Sequence, residues 1–154
     1  MVRITGKDLD ANGFYKDDNL ETEEDITSEE GLGWIRFKGS VVTKHSLLLS
    51  AGCGIEAGGG IEAGWGIKAG CDIKAGDGIE AGDGIEAGDG IEAGDGIEAG
   101  WGIISGLFSD IGDIIAKFIN VKMRICAGFN CKKECMIKAK IKSGQVILGR
   151  QEKW

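Results

Sequence analysis

The chain has no proline, a single histidine and only 6% aromatic residues. Without proline, its 28 glycines cannot belong to a collagen-type triple helix or a polyproline rod. The one histidine, His45, falls in a repeat column, the Ala column, so no Ser-His-Asp geometry is proposed. No run of ~18 apolar residues is present, which excludes an apolar membrane-spanning helix. Residues 1–30 are polar and acidic, unlike a secretory leader, so a cytoplasmic protein is expected. With few aromatics, any core must be assembled from small aliphatic side chains.

What is present is a repeat. Gly76-Asp77-Gly78-Ile79-Glu80-Ala81 is followed by the same six residues again, and Ile recurs every six positions from Ile55 to Ile103. Ala recurs in the same way from Ala57 to Ala99. Ile-Glu-Ala alternates in, out, in, as a strand does. Gly-x-Gly then turns a corner, through positive φ or close backbone approach. One hexad cannot bury its own Ile, so hexads must stack. The expected fold is mainly β: a short solenoid over residues 33–105 with about 18 residues per coil. Stepping back by sixes extends the phase to Phe37, giving four coils. Asp72, in a second-Gly position, is expected to tolerate a left-handed corner.

The 18-residue register makes definite stacks. Cys53 falls on Cys71, and Lys38, Glu56, Lys74 and Glu92 form a column of alternating sign. Trp65, Asp83 and Trp101 form a corner column. Glu62, Glu80 and Glu98 stack as like charges, as do Asp77 and Asp95.

Outside the repeat, residues 1–32 lack periodicity and are expected to be loop or partly disordered. Leu107, Ile111, Ile114, Ile115 and Phe118 follow helical spacing, which predicts an amphipathic capping helix over 106–119. Residues 120–154 alternate apolar and basic positions around a Ser143-Gly144 turn, which predicts a small antiparallel sheet with a lysine-rich face.

Charge is segregated along the chain. The net formal charge of −7 divides into −7 over residues 1–32, +3 over 33–50, −9 over 51–100, −1 over 101–120 and +7 over 121–154. Nucleic acid is therefore not expected to bind the repeat directly.

Several motifs have a bland explanation. Gly52-Cys53-Gly54-Ile55-Glu56-Ala57 matches a dinucleotide fingerprint, but it recurs in nearly every hexad with no helix to follow. Asp8, Asp10, Asn12 and Gly13 look like half of a calcium loop, yet Asn19 stands where a bidentate Glu belongs. The corner residues Asp77, Asp83, Asp89 and Asp95 repeat every six residues rather than nine, unlike calcium-binding β-rolls. Cys126, Cys131 and Cys135 fit no paired zinc knuckle. No metal and no cofactor is expected.

The Gly-x-Gly-Ile-Glu/Lys-Ala array resembles hexad-repeat proteins of bacteria and their phages. In its aliphatic-Glu pair it is distantly similar to left-handed β-helix acyltransferases. Those want a small residue at the corner position, where this chain has Cys53, Gly59, Trp65, Cys71 and then four Asp, and they use a histidine base, for which His45 is a poor candidate. As an acidic β-solenoid it is also distantly similar to pentapeptide-repeat proteins that mimic DNA. That resemblance implies an inhibitor of a basic nucleic-acid-handling or host-defence protein. Glu62, Glu80, Glu98, Asp77, Asp83, Asp89 and Asp95 would bind it, with Trp65 and Trp101 as marginal anchors. A binding protein rather than an enzyme is expected; the alternatives are a self-assembling structural module, with the chain as a homo-oligomer, and an acyltransferase-like enzyme. No membrane partner is expected.

Overall fold

A computed structural model describes residues 1–107, 112–129, 131 and 134–152. Its eighteen strands form one β-solenoid of about seven turns. Each coil has three sides, and each side stacks in parallel on the same side of the next coil. Face A runs through Gly33–Phe37, Cys53–Ala57, Ile73–Ala75 and Ile91–Ala93. Face B runs through Val41–Thr43, Ile61–Ala63, Ile79–Ala81 and Gly96–Ala99. Face C runs through Leu47–Leu48, Ile67–Ala69, Ile85–Ala87 and Ile103–Ile104.

The hexad dictates this geometry. Ile79 and Ala81 are buried and Glu80 between them is exposed, and the same pattern holds along the array. The core is a set of Ile columns lined by Ala, with each buried Ile contributing about 1.5–3 kcal/mol. From Ile55 to Ile103 the coil is 18 residues, since Ile55 pairs with Ile73 and Ile73 with Ile91. Before that the coil is 20 residues: Ile35 pairs with Ile55 and Phe37 with Ala57. The upstream phase is thus two residues off the expectation.

The corners are made by close approach rather than by unusual backbone. None of the repeat glycines from Gly54 to Gly102 has positive φ. A Cβ on Gly76 would stand 2.1 Å from the carbonyl oxygen of Gly58, and one on Gly94 1.9 Å from that of Gly76. The first glycine of each hexad therefore lets one coil's backbone sit directly on the next. Asp72 is not left-handed either, as no described residue other than glycine has positive φ.

The solenoid begins earlier and ends later than expected. Val2–Ile4, Leu20–Thr22 and Ile26–Ser28 pair in register with the coils that follow, so residues 1–32 contain strands rather than loop alone. A short 3-10 turn, Gly6–Asp8, and the Leu9–Tyr15 bridge lie between the first two of these strands.

The capping helix is not formed. Residues 108–111 lie outside the described residues, and Ile114–Cys126 is a strand. Ile114 stacks on Ile91 and Ile119 on Ile97, with Lys117 at the corner between them. Two strand segments joined by a corner imitate helical spacing, and pairing with the preceding coil gives the backbone partners a helix would not need. The antiparallel sheet is also replaced: Ile114–Cys126 and Met136–Leu148 pair in parallel as the last two full coils. Alternation of apolar and basic residues is the same for either strand direction. Met123, which alternates with Lys122 and Arg124 in the sequence, is exposed at a corner.

Candidate acidic interface

Face B presents Glu62, Glu80 and Glu98 in direct register on three successive coils. Their spacing follows the interstrand distance, ~4.8 Å. At that distance each neighbouring pair repels by about 0.9 kcal/mol in water before screening. Among the described residues Glu62 and Glu80 form no ion pair, and Glu98 accepts a hydrogen bond from Asn120 Nδ2 at 3.1 Å.

Two corners border this face. On one, the backbone ladder runs Gly59, Asp77, Asp95, Lys117, each N–H donating to the carbonyl of the coil before. Lys117 Nζ lies 3.5 Å from Asp95. On the other, the ladder runs His45, Trp65, Asp83, Trp101, Met123. The His45 ring stacks on Trp65, centroids 5.0 Å apart and planes 8° from parallel. His45 is thus a corner residue, not a member of the buried Ala column. Both Trp65 and Trp101 are more than half exposed.

Eight of the nine expected binding residues come together on face B and its two borders. The ninth, Asp89, does not. It lies on the third corner, where its N–H donates to Cys71 and Cys71 donates to Cys53. Burial first, and the Asp89 carboxylate second, push the Cys71 thiol up. Cys53 is fully buried, and its thiol lies 3.1 Å from the Glu29 carbonyl oxygen. No disulfide forms among the five cysteines, all of which are described.

The other faces neutralise their charges. On face A the column reads Arg36, Glu56, Lys74, Glu92, with Arg36–Glu56 at 2.9 Å and Lys74–Glu92 at 3.9 Å. The 20-residue coil puts Arg36 in the place expected for Lys38, which instead pairs with Asp18 at 3.0 Å. On face C, Lys68 meets Glu86 at 3.1 Å.

Asp8 and Asp10 are engaged with backbone rather than arranged around a cation. Asp8 accepts from the Thr5 hydroxyl and N–H at 2.8 and 2.9 Å, and Asp10 accepts from the N–H groups of Asn12 and Phe14 at 2.9 Å each. The Thr5 hydroxyl, then its N–H, hold the Asp8 carboxyl below its ordinary value. No cluster of three potential metal ligands exists among the described residues. Nor is any helix among them long and apolar enough to cross a membrane.

Sequence reasoning missed two features. Asp72 Oδ1 accepts the Gly90 N–H at 3.0 Å. The outward residue Ile104 and the corner residues Met123 and Phe129 leave an apolar surface beside Trp101, and Leu48 stands exposed three coils away on the same face. The signal was present: Leu47-Leu48-Leu49 and Ile103-Ile104 break the in-out alternation by putting an aliphatic residue where the repeat has a charge.

Comparison with family models, with curated proteins and with solved structures gives no match.

Proposed function

We propose that the protein binds and blocks a basic protein through face B, presenting a line of carboxylates in place of a nucleic-acid backbone. The single observation that carries this reading is the in-register stack of Glu62, Glu80 and Glu98, unneutralised on a molecule whose other faces pair their charges. With the border residues Asp77 and Asp95, three successive coils carry five carboxylates, of which Asp95 meets Lys117. That is one carboxylate per ~2.9 Å, against one charge per ~1.7 Å of axis in duplex DNA. A groove that tracks phosphates would find a comparable charge density on a rigid edge. Trp65 and Trp101 supply exposed aromatic surface at the margin, a residue type enriched among binding hot spots. The partner class is a nucleic-acid-handling or host-defence protein with such a groove.

The test is displacement of a labelled random-sequence duplex from a linker histone, a basic protein that binds duplexes with little sequence preference. The wild type is expected to displace the duplex, and less so as salt rises. The triple variant Glu62→Lys, Glu80→Lys, Glu98→Lys is expected to lose displacement. A control of equal charge change on the other faces, Glu56→Lys, Glu86→Lys, Glu92→Lys, is expected to retain most of it. Equal loss in both variants would mean that net charge alone is read, and the reading of face B would be abandoned.

A further inference from the structure

Face C carries a different arrangement. Its outward column reads Arg3, Thr27, Leu48, Lys68, Glu86, Ile104, Cys126, Leu148 along the solenoid. Reversed about the midpoint between Lys68 and Glu86, the central part becomes its own complement. Lys68 falls opposite Glu86, Leu48 opposite Ile104, and Thr27 opposite Cys126. Face B has no such property, because its reversed column sets Glu against Glu.

The surface relief follows the same symmetry. Leu48 projects from its coil with 43% of its surface exposed. Around Ile104 there is a cavity of about 670 Å³ whose walls include Trp101, Met123, Cys126 and Phe129. Met123 and Phe129 are each about half exposed, and Trp101 more so. An exposed aliphatic knob and an apolar hole therefore lie at equal distances on either side of one midpoint. Leu48 and Ile104 are three coil steps apart, ~14 Å.

We propose that face C is a homodimer interface, with the occupant a second copy of this chain. The two-fold axis lies in the interface, parallel to the strands and between Lys68 and Glu86. It sets the two solenoids antiparallel. Leu48 of each chain enters the cavity around Ile104 of the other. At the centre, two Lys68 and two Glu86 make a four-charge cluster of alternating sign. The same operation places the His45 ring of one chain opposite Trp101 of the other. Asp83 and Asp89 come to the rim, where water screens them. The apolar knobs supply the affinity, and the central charges set the register. One side of a three-sided solenoid gives an area at the small end of stable interfaces, on the order of 1,000 Å², so micromolar association is expected. The dimer leaves the glutamates of face B open but takes Trp101 into its own contact, so Trp65 alone would stay at the margin of face B; the inference does not rest on the proposed function.

Sedimentation velocity over roughly 1–200 μM chain is the test, with circular dichroism to confirm folding of each variant. The wild type should pass from monomer to dimer in that range. Leu48→Lys should remain monomeric throughout. Lys68→Glu alone places four acids at the centre and Glu86→Lys alone places four bases, so each should be monomeric by itself. Mixed in equal amounts, those two variants should form a heterodimer with a dissociation constant within about tenfold of the wild type. A wild type that is monomeric across the range overturns the proposal. So does a dimer indifferent to Leu48→Lys, or a mixture of the two charge variants that stays monomeric while the wild type dimerises.

Discussion

The carboxylate of Asp72 accepts a hydrogen bond from the backbone N–H of Gly90, one coil further along the solenoid, at 3.0 Å. The device recurs at other corners. Asn19 Oδ1 accepts from Ser40 N–H, Ser40 Oγ from Gly60, Ser28 Oγ from Ser50, and Asp113 from Met136. In each case a polar side chain on one coil satisfies a backbone donor on the next. Restoring the repeat consensus with Asp72→Gly should therefore destabilise the protein by about 1 kcal/mol, the usual loss when a capping acceptor is removed. Urea denaturation would show it, and an unchanged midpoint would mean that water replaces the carboxylate at no cost.

The two glycines of one hexad should differ sharply in their tolerance of a methyl group. A Cβ on Gly76 would stand 2.1 Å from the Gly58 carbonyl oxygen, whereas one on Gly78 would find the Gly96 carbonyl oxygen at 3.4 Å. Gly76→Ala is expected to cost ~3 kcal/mol or more, because the obstacle is backbone in a stacked coil. Gly78→Ala should cost less than about 1 kcal/mol. Thermal melts of the two variants would rank them, and similar losses would show that the stack can open locally.

Relieving the charge stack should stabilise the fold in dilute buffer. Glu80 has a like-charged neighbour on each side, Glu62 and Glu98. Glu80→Gln removes both repulsions, together about 1–2 kcal/mol before screening. The melting temperature is expected to rise at 10 mM salt and to match the wild type at 1 M, where the screening length is ~3 Å. A gain that persists at high salt would point to a cause other than charge.

Thiol reactivity should report the third corner. Because the Cys71 thiol is pushed up, first by burial and then by Asp89, less of it is thiolate at any given pH. Alkylation of the folded protein across a pH series, read afterwards in the tryptic peptide Ala69–Lys74 by mass spectrometry, should show a profile displaced to higher pH than that of a free cysteine peptide. Asp89→Asn should move it part of the way back, since the larger cause remains. An unmoved profile would mean that the carboxylate does not act on the sulfur.

Much of the fold was legible because the array from Ile55 to Ile103 repeats in six and coils in eighteen. Nothing but counting was needed to place Glu80 between Glu62 and Glu98, or Asp83 between Trp65 and Trp101. Counting failed where the coil length changes. A coil of 20 residues moves Arg36 into the column expected for Lys38, and sequence alone does not show where corners absorb the extra residues. Strand direction was illegible for a related reason: Ile137, Ala139 and Ile141 alternate with lysines in the same way whichever way the strand runs. The helical spacing near Phe118 arose from a corner at Lys117, and it is Gly96 that admits the Phe118 ring, which lies 2.2 Å from where its Cβ would be. Of the candidate site, the charged face could be read from register; the apolar residues of face C left a signal at Leu48 and Ile104, but that Met123 and Phe129 join Ile104 emerges only from the stacking of the later coils.

Three-sidedness also constrains how such a chain can change in length. Adjacent hexads around Asp83 and Asp89 are identical, so loss or gain of one would preserve the local strand, its buried Ile and its glycine corner. It would also turn every later side by one third of a revolution. Glu98 would leave the glutamate line, Trp101 would move to another edge, and the downstream surface would be dealt out afresh. When whole hexads are added or lost, only multiples of three keep each face continuous, whereas one or two extra residues can be absorbed at a corner, as in the 20-residue coil. The protein can thus lengthen freely as a scaffold, but as a bearer of patterned faces it has a reading frame of three hexads.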